Sequence, residues 1–219
     1  MKTFPKLVVA AIGLIGASAA SAALLTNAVG LQAVDATSTS NYGAPYTTAR
    51  TIDQSDLSGS YVSGVTSTSV IDTFTNLNQG NGWHGAFNDT QGSITFDLGA
   101  QYTLDRVYLF WMNGGGGNNI ADFSILVSDD AAFSAPTLAA SFGFPTAGQD
   151  RVDFASLATG EFVRLEWTNL QGSYPGLNEF IAGGVAAMEQ FPSQVPEPAT
   201  AALIGLGLLG CFVSRRRPA

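Results

Sequence analysis

From Gln91 onward, apolar and polar residues alternate in short runs separated by polar or glycine-rich turns. Ser93-Ile94-Thr95-Phe96-Asp97-Leu98 alternates strictly and stops at Gly99, a two-residue period that puts Ile94, Phe96 and Leu98 on one face of a strand. Arg106 to Met112 is rich in β-branched and aromatic residues and stops at Asn113 and the four glycines Gly114 to Gly117. Ala121 to Val127 predicts a third strand, closed by Ser128-Asp129-Asp130. Glu161 to Thr168 predicts a fourth, with Val163, Leu165 and Trp167 on one face and Phe162, Arg164 and Glu166 on the other. No long segment follows the helical period of 3.6 residues. The fold class is therefore all-β, an antiparallel jelly-roll β-sandwich. Upstream, fifteen of the 35 residues from Ala36 to Val70 are Ser or Thr. With Ile52 and Leu57 as spaced apolar anchors, this stretch reads as packed and loop-rich.

Both ends break this pattern. Lys2 and Lys6 precede the apolar run Leu7 to Ala17, and Ala20-Ser21-Ala22 supplies small residues for a signal peptidase, so residues 1–22 read as a secretory signal peptide. At the other end Val195-Pro196-Glu197-Pro198 is followed by the apolar segment 199–214 and by Arg215-Arg216-Arg217. Sixteen residues in a helix span about 24 Å, short of the roughly 30 Å hydrocarbon core. Local thinning of the bilayer would let such a helix insert, with the arginines on the cytoplasmic side. The expected organisation is a signal peptide at 1–22, a sandwich at 23–191 and a C-terminal sorting segment with a transmembrane helix at 192–219.

Composition narrows the function classes. The whole chain carries a formal charge of −8. From Ala23 to Pro198 only four arginines stand against all seventeen acids, a formal −13, with no lysine and no cysteine. Nucleic acid is excluded as a partner, since phosphate binding needs a basic stripe. Bulk charge also disfavours polyanions. A G-x-S-x-G elbow, an H-E-x-x-H helix and a phosphate loop are absent from the sequence, and a triad would have to use the single histidine, His84. A non-enzymatic role is the expectation, with a glycoside hydrolase built on paired carboxylates as the weaker alternative.

Pro196-Glu197-Pro198, the short apolar segment and Arg215 to Arg217 together resemble the PEP-CTERM sorting signal of Gram-negative bacteria. The resemblance implies an exosortase that removes the anchor. The precursor would be held transiently in the inner membrane, and the product would reach the cell surface or extracellular matrix. Such bacteria commonly make extracellular polysaccharide. A second resemblance spans roughly residues 31 to 187. Trp83-His84-Gly85, the strand Ile94-Thr95-Phe96-Asp97-Leu98-Gly99, the turn Ser128-Asp129-Asp130, Val163-Arg164-Leu165 and the late Glu179 occur in the order found in the discoidin, or galactose-binding-like, domain. Ile52-Asp53-Gln54 is similar to that family's early I-D-G, with Gln54 in place of the glycine. The implied fold is an eight-stranded jelly roll with ligand loops at one end, and the implied function is glycan or matrix-polysaccharide binding. A structural matrix protein without a small ligand is the alternative.

Sugar recognition needs an aromatic face against the C–H surface and a few placed polar groups. On that chemistry Trp111, Tyr174, His84 and Asn118 are the candidate ligand contacts, while Trp83 corresponds to the family's packing tryptophan. The family resemblance also implies a structural Ca²⁺, which would fall to Asp53, Asp56 and Glu179, with Asp72 as a rival ligand.

Overall fold

A computed structural model describes residues 24–77, 82–112, 118–145 and 148–187. The expected signal peptide, Pro-Glu-Pro motif, transmembrane helix and arginine cluster lie outside the described residues. No helix among the described residues is long and apolar enough to cross a membrane.

Among the described residues nine strands form in chain order: β1 Val29–Leu31, β2 Asp35–Ser38, β3 Trp83–His84, β4 Gly92–Phe110, β5 Asn119–Ser128, β6 Thr137–Phe142, β7 Gln149–Gln171, β8 Gly176–Leu177 and β9 Glu179–Ala186. All the pairings are antiparallel. Seven strands make one continuous sheet and β3 with β8 makes a two-residue ribbon. Among the described residues, helix is confined to a 3₁₀ turn, Thr48–Ile52, and a single turn α1, Thr68–Ile71.

The continuous sheet becomes two layers because its two longest strands bend. The first part of β4 pairs with β2 and with the end of β7, giving the front layer with β5 and β6. Its second part pairs with β9 and with the start of β7, giving the back layer with β1. The register of β4 shifts between Asp97 and Tyr102 and again between Leu104 and Arg106, and Gly99 sits at φ +75° inside the first shift. A left-handed backbone there is cheap only for glycine. Gly99 was expected to stop the strand; it turns the strand from one layer into the other instead. The strands expected at 93–98 and 106–112 are thus halves of one element.

Side chains from the two layers meet in a common core. Phe96 of the front layer stacks on Phe180 of the back layer at 3.8 Å between centroids and 6° between planes. Ile94, Val107, Leu109, Ile125, Val163, Leu165 and Trp167 fill the rest. The alternation read from the sequence holds: Val163, Leu165 and Trp167 are buried, and Phe162, Arg164 and Glu166 lie on the other face. A second apolar cluster forms on the outside of the back layer, where Leu57, Tyr61, Ile71 and Phe74 cover Tyr108, Phe110 and Ile181. This explains why the Ser/Thr-rich stretch is packed: its few apolar residues cap the exposed side of a sheet.

Candidate functional site

The segments that join the two layers at one end of the sandwich carry most of the expected site residues. At that end the chain passes from β4 to β5, from β7 to β8, and through the ribbon β3–β8. Backbone bonds lock these segments together: Tyr42 N donates to the His84 carbonyl (3.0 Å), Gly85 N to that of Pro175 (2.8 Å), and Asn88 N to that of Ser173 (2.7 Å). Ser40 Oγ accepts from Ala86 N at 2.9 Å, and Asn118 Oδ1 accepts from Ser173 N at 3.4 Å. A Cβ on Gly85 would collide with Pro175 and Ser40, so only glycine lets the three segments approach this closely.

The convergence assembles an aromatic surface around the single histidine. His84 lies 4.6 Å from the ring of Tyr46 and 5.7 Å from Tyr174. Tyr42 is edge-on to Tyr46 at 5.8 Å and to Tyr174 at 5.6 Å, and Phe87 meets Tyr174 at 5.2 Å. Tyr42 is 56% exposed and Phe87 62% exposed, so two rings of the cluster face solvent. Burial lowers the His84 pKa below its ordinary value. The imidazole is therefore neutral at neutral pH, one nitrogen donating and the other accepting. Rings held edge to face with a neutral donor–acceptor among them can stack on a sugar's C–H face and hydrogen-bond its hydroxyls.

Of the four expected ligand residues, the structure brings together His84, Tyr174 and Asn118. Trp111 is a correction. It is 0% exposed, packs on Phe123 at 5.6 Å, and donates its indole N–H to Asp150. Trp111 continues the inward face of β4 after Val107 and Leu109, so it is a core residue. Trp83 is buried against Trp167, as expected for a packing tryptophan. Tyr42, Tyr46 and Phe87 were not anticipated. Tyr42 and Phe87 are 45 positions apart and meet through Tyr174, so no local pattern announces them.

At the start of β9 the acidic residues also converge. Glu179 is 1% exposed and accepts from Asp56 N at 3.3 Å. Burial pushes its pKa up to about 9; the Asp56 and Gln54 N–H groups oppose the shift, and Asp53 adds to it. Asp72 does not join them: it accepts from the Tyr108 hydroxyl at 2.9 Å and pairs with Arg151 at 3.2 Å. A buried carboxylate beside a second one holds either a proton or a cation, and hard cations take such oxygens. Among the described residues, however, no three His, Cys, Asp or Glu side chains are arranged to ligate a metal. A cation would therefore take Glu179 and Asp53 and depend on backbone carbonyls for its other oxygens, while Asp53 also holds Arg50 at 3.4 Å.

Gln54 adopts φ +63°, the left-handed conformation that the family's glycine would take freely. Its amide compensates: Nε2 donates to Gln32 Oε1 (3.1 Å) and to the Tyr61 carbonyl (3.3 Å), and Oε1 accepts from Tyr61 N (3.0 Å). Gln54→Ala keeps the strained backbone and loses all three bonds, so the expected loss is about 2 kcal/mol. Gln54→Gly relieves the strain and should fall between Ala and the parent. Thermal melts of the three proteins check that order.

Residues 69–165 match the NedA-like, galactose-binding domain, and residues 194–217 match the PEP-CTERM protein-sorting motif. The chain is thus similar to a galactose-binding domain over its middle part and to a PEP-CTERM motif further on. No curated protein matches the sequence. Among solved structures, a selenomethionine-labelled mutant of chitosan-binding module 1, from a chitosanase/glucanase of Paenibacillus sp. IK-5, is 23% identical with a TM-score of 0.51, over 68% of this chain and 93% of that one. The family 32 carbohydrate-binding module of Clostridium perfringens NanJ, solved with galactose, is 15% identical with a TM-score of 0.51, over 71% and 99%. A further C. perfringens CBM32, in complex with GalNAc-β-1,3-galactose, is 16% identical with a TM-score of 0.50, over 68% and 93%. At these identities the likeness establishes the β-sandwich fold. The PEP-CTERM motif marks the protein as one exported through exosortase processing.

Proposed function

We propose that the exported domain is a non-catalytic module that binds a neutral or weakly charged glycan of the extracellular matrix through the aromatic surface around His84. The observation that supports this reading most is the cluster of Tyr42, Tyr46, His84, Phe87 and Tyr174, with its two exposed rings at the loop end of the sandwich. Proteins of the same fold bind chitosan or galactose-containing sugars. Aromatic stacking tolerates many sugars, and His84 and Asn118 would select among hydroxyl arrangements. The acidic body disfavours uronate-rich chains. A glycan array probed with the parent protein, Tyr174→Ala and Phe87→Ala tests this. The parent should retain neutral glycans, and each variant should bind them at least tenfold more weakly with a melting temperature close to the parent's. Absence of binding to every glycan would overturn the reading in favour of a purely structural matrix protein, and equal binding by all three proteins would overturn the placing of the site on the aromatic surface.

The same reading includes a structural Ca²⁺ at Glu179 and Asp53. When bound, the ion would supply the positive charge that Glu179 lacks in the fold and would fix the start of β9. Asp56 would contribute through its backbone N–H to Glu179, which orients that carboxylate.

A further inference from the structure

The outer face of the front layer carries a second arrangement suited to a sugar, distinct from the loop end. On this face Asp35 of β2 is the cross-strand partner of Asp97 of β4, and Asp97 is the partner of Phe162 of β7. One step along, Thr37, Thr95 and Arg164 form the next cross-strand row. The intervening residues Ala36, Phe96 and Val163 point into the core, so the two rows share the solvent side. They line a groove of about 230 Å³. That is below the ~300–1,000 Å³ typical of drug-sized pockets, so it suits a single sugar residue.

The hydrogen-bonding character of the groove is one-sided. Arg164 is already engaged: Nε donates to Thr95 Oγ1 (2.9 Å), Nη2 donates to the Ala131 carbonyl (3.3 Å), and the guanidinium lies 3.8 Å over the Phe133 ring. Its last nitrogen faces Glu166 at 3.6 Å. Asp35 Oδ1 accepts from Ala36 N (2.8 Å) and Asp97 Oδ1 from Gly99 N (2.7 Å), which holds both carboxylates in fixed orientations. Acceptors therefore dominate the floor, with a half-buried phenyl ring at one end. Like charges placed directly across strands destabilise a sheet, and a donor-rich, positively charged ligand would relieve that pair.

We propose that this groove is a second saccharide site that takes an amino-sugar residue. The ammonium and neighbouring hydroxyls would donate to Asp35 and Asp97, and the C–H face would pack on Phe162. The site goes beyond the loop-end reading and stands without it. Asp35 and Tyr42 are seven residues apart, so the two sites lie within about 25 Å along the chain. One polysaccharide could engage both, which raises avidity without any new contact.

The test is a titration of the full chain in mild detergent at pH 6 with glucosamine, read by amide chemical shifts, with glucuronic acid as the control. Saturable shifts are expected at Thr37, Thr95 and Phe162 with glucosamine and not with glucuronic acid. They should persist in Tyr174→Ala and weaken at least tenfold in Asp35→Asn/Asp97→Asn. Asparagine keeps the oxygens that accept from Ala36 and Gly99, so this variant should fold; Phe162→Leu, with a separate loss of affinity, covers the case where it does not. No saturable shift at these amides, equal affinity in both variants, or shifts produced by CaCl₂ and not by glucosamine would overturn the site. Failure of Tyr174→Ala to affect the glycan array would instead bear on the loop-end reading alone.

Discussion

Stripped of divalent cations, the protein should lose thermal stability as pH rises from about 5 to about 9, because Glu179 is raised from 4.5 to about 9 in the fold. Burial is the main cause, and Asp53 adds like-charge repulsion. Over this range the unfolded chain has released the Glu179 proton while the folded chain still holds it. The stabilising contribution is therefore complete below about pH 4.5 and is lost as pH climbs through the folded value. Each pKa unit corresponds to about 1.4 kcal/mol, and for a domain of this size one kcal/mol moves Tm by about 2–4 °C. The expected fall is on the order of 10 °C. Glu179→Gln, which mimics the protonated acid, should flatten the profile. Added Ca²⁺ should raise Tm at pH 8 in the parent and not in the variant, since an ion that binds only the folded state stabilises by mass action. A flat profile in EDTA, identical to that of Glu179→Gln, would contradict the account of this carboxylate. Tyr61, whose hydroxyl is pushed up by burial and by Glu179, titrates above this window and does not disturb it.

Trp111→Ala should strongly destabilise the sandwich. The ring is wholly buried against Phe123. Removing a buried tryptophan ring costs about 3–5 kcal/mol through lost burial and the cavity left behind. The change also removes the indole donor to Asp150, a half-buried carboxylate that burial already pushes above its ordinary pKa. Trp111→Phe keeps most of the packing and loses only the hydrogen bond, so it should cost about 1–2 kcal/mol. Denaturant unfolding of the two variants checks the order, and glycan binding by the folded fraction should survive both. A Trp111→Ala protein as stable as the parent but unable to bind glycan would place the ring at the surface.

The fold was legible wherever a period of two residues was, and less so where strands had to be joined. Ser93 to Leu98 lies within a strand of the structure, Arg106 to Met112 does so as far as Phe110, and Ala121 to Val127 and Glu161 to Thr168 lie wholly within strands. That the first two belong to one strand depends on Gly99 taking a left-handed turn within a continuing ladder, and glycine reads equally well as a stop. Trp111 carried a usable signal, since Val107, Leu109 and Trp111 share one parity; its position at the edge of a glycine-rich loop masked it. The site was legible only in part because its rings come from three distant segments. His84 and Tyr174 stood out as residue types beside turn residues, whereas Tyr42 and Phe87 meet them only after β3 pairs with β8 and Gly85 lets the loops close. Asp53, Asp56 and Glu179 came together through family resemblance, because a separation of 123 residues between Asp56 and Glu179 has no local signature. Gln54 shows how the missing glycine is tolerated: the backbone keeps the left-handed turn and a side-chain amide holds it there.

Amide chemical-shift mapping of the full chain in mild detergent, titrated with the neutral oligosaccharide best retained on the array, tests the aromatic surface most directly. The largest shifts should fall at Tyr42, Tyr46, His84, Phe87 and Tyr174 and should fade at acidic pH, below the ordinary imidazole range, as His84 gains a proton. Saturable binding that leaves those five amides unmoved would contradict it.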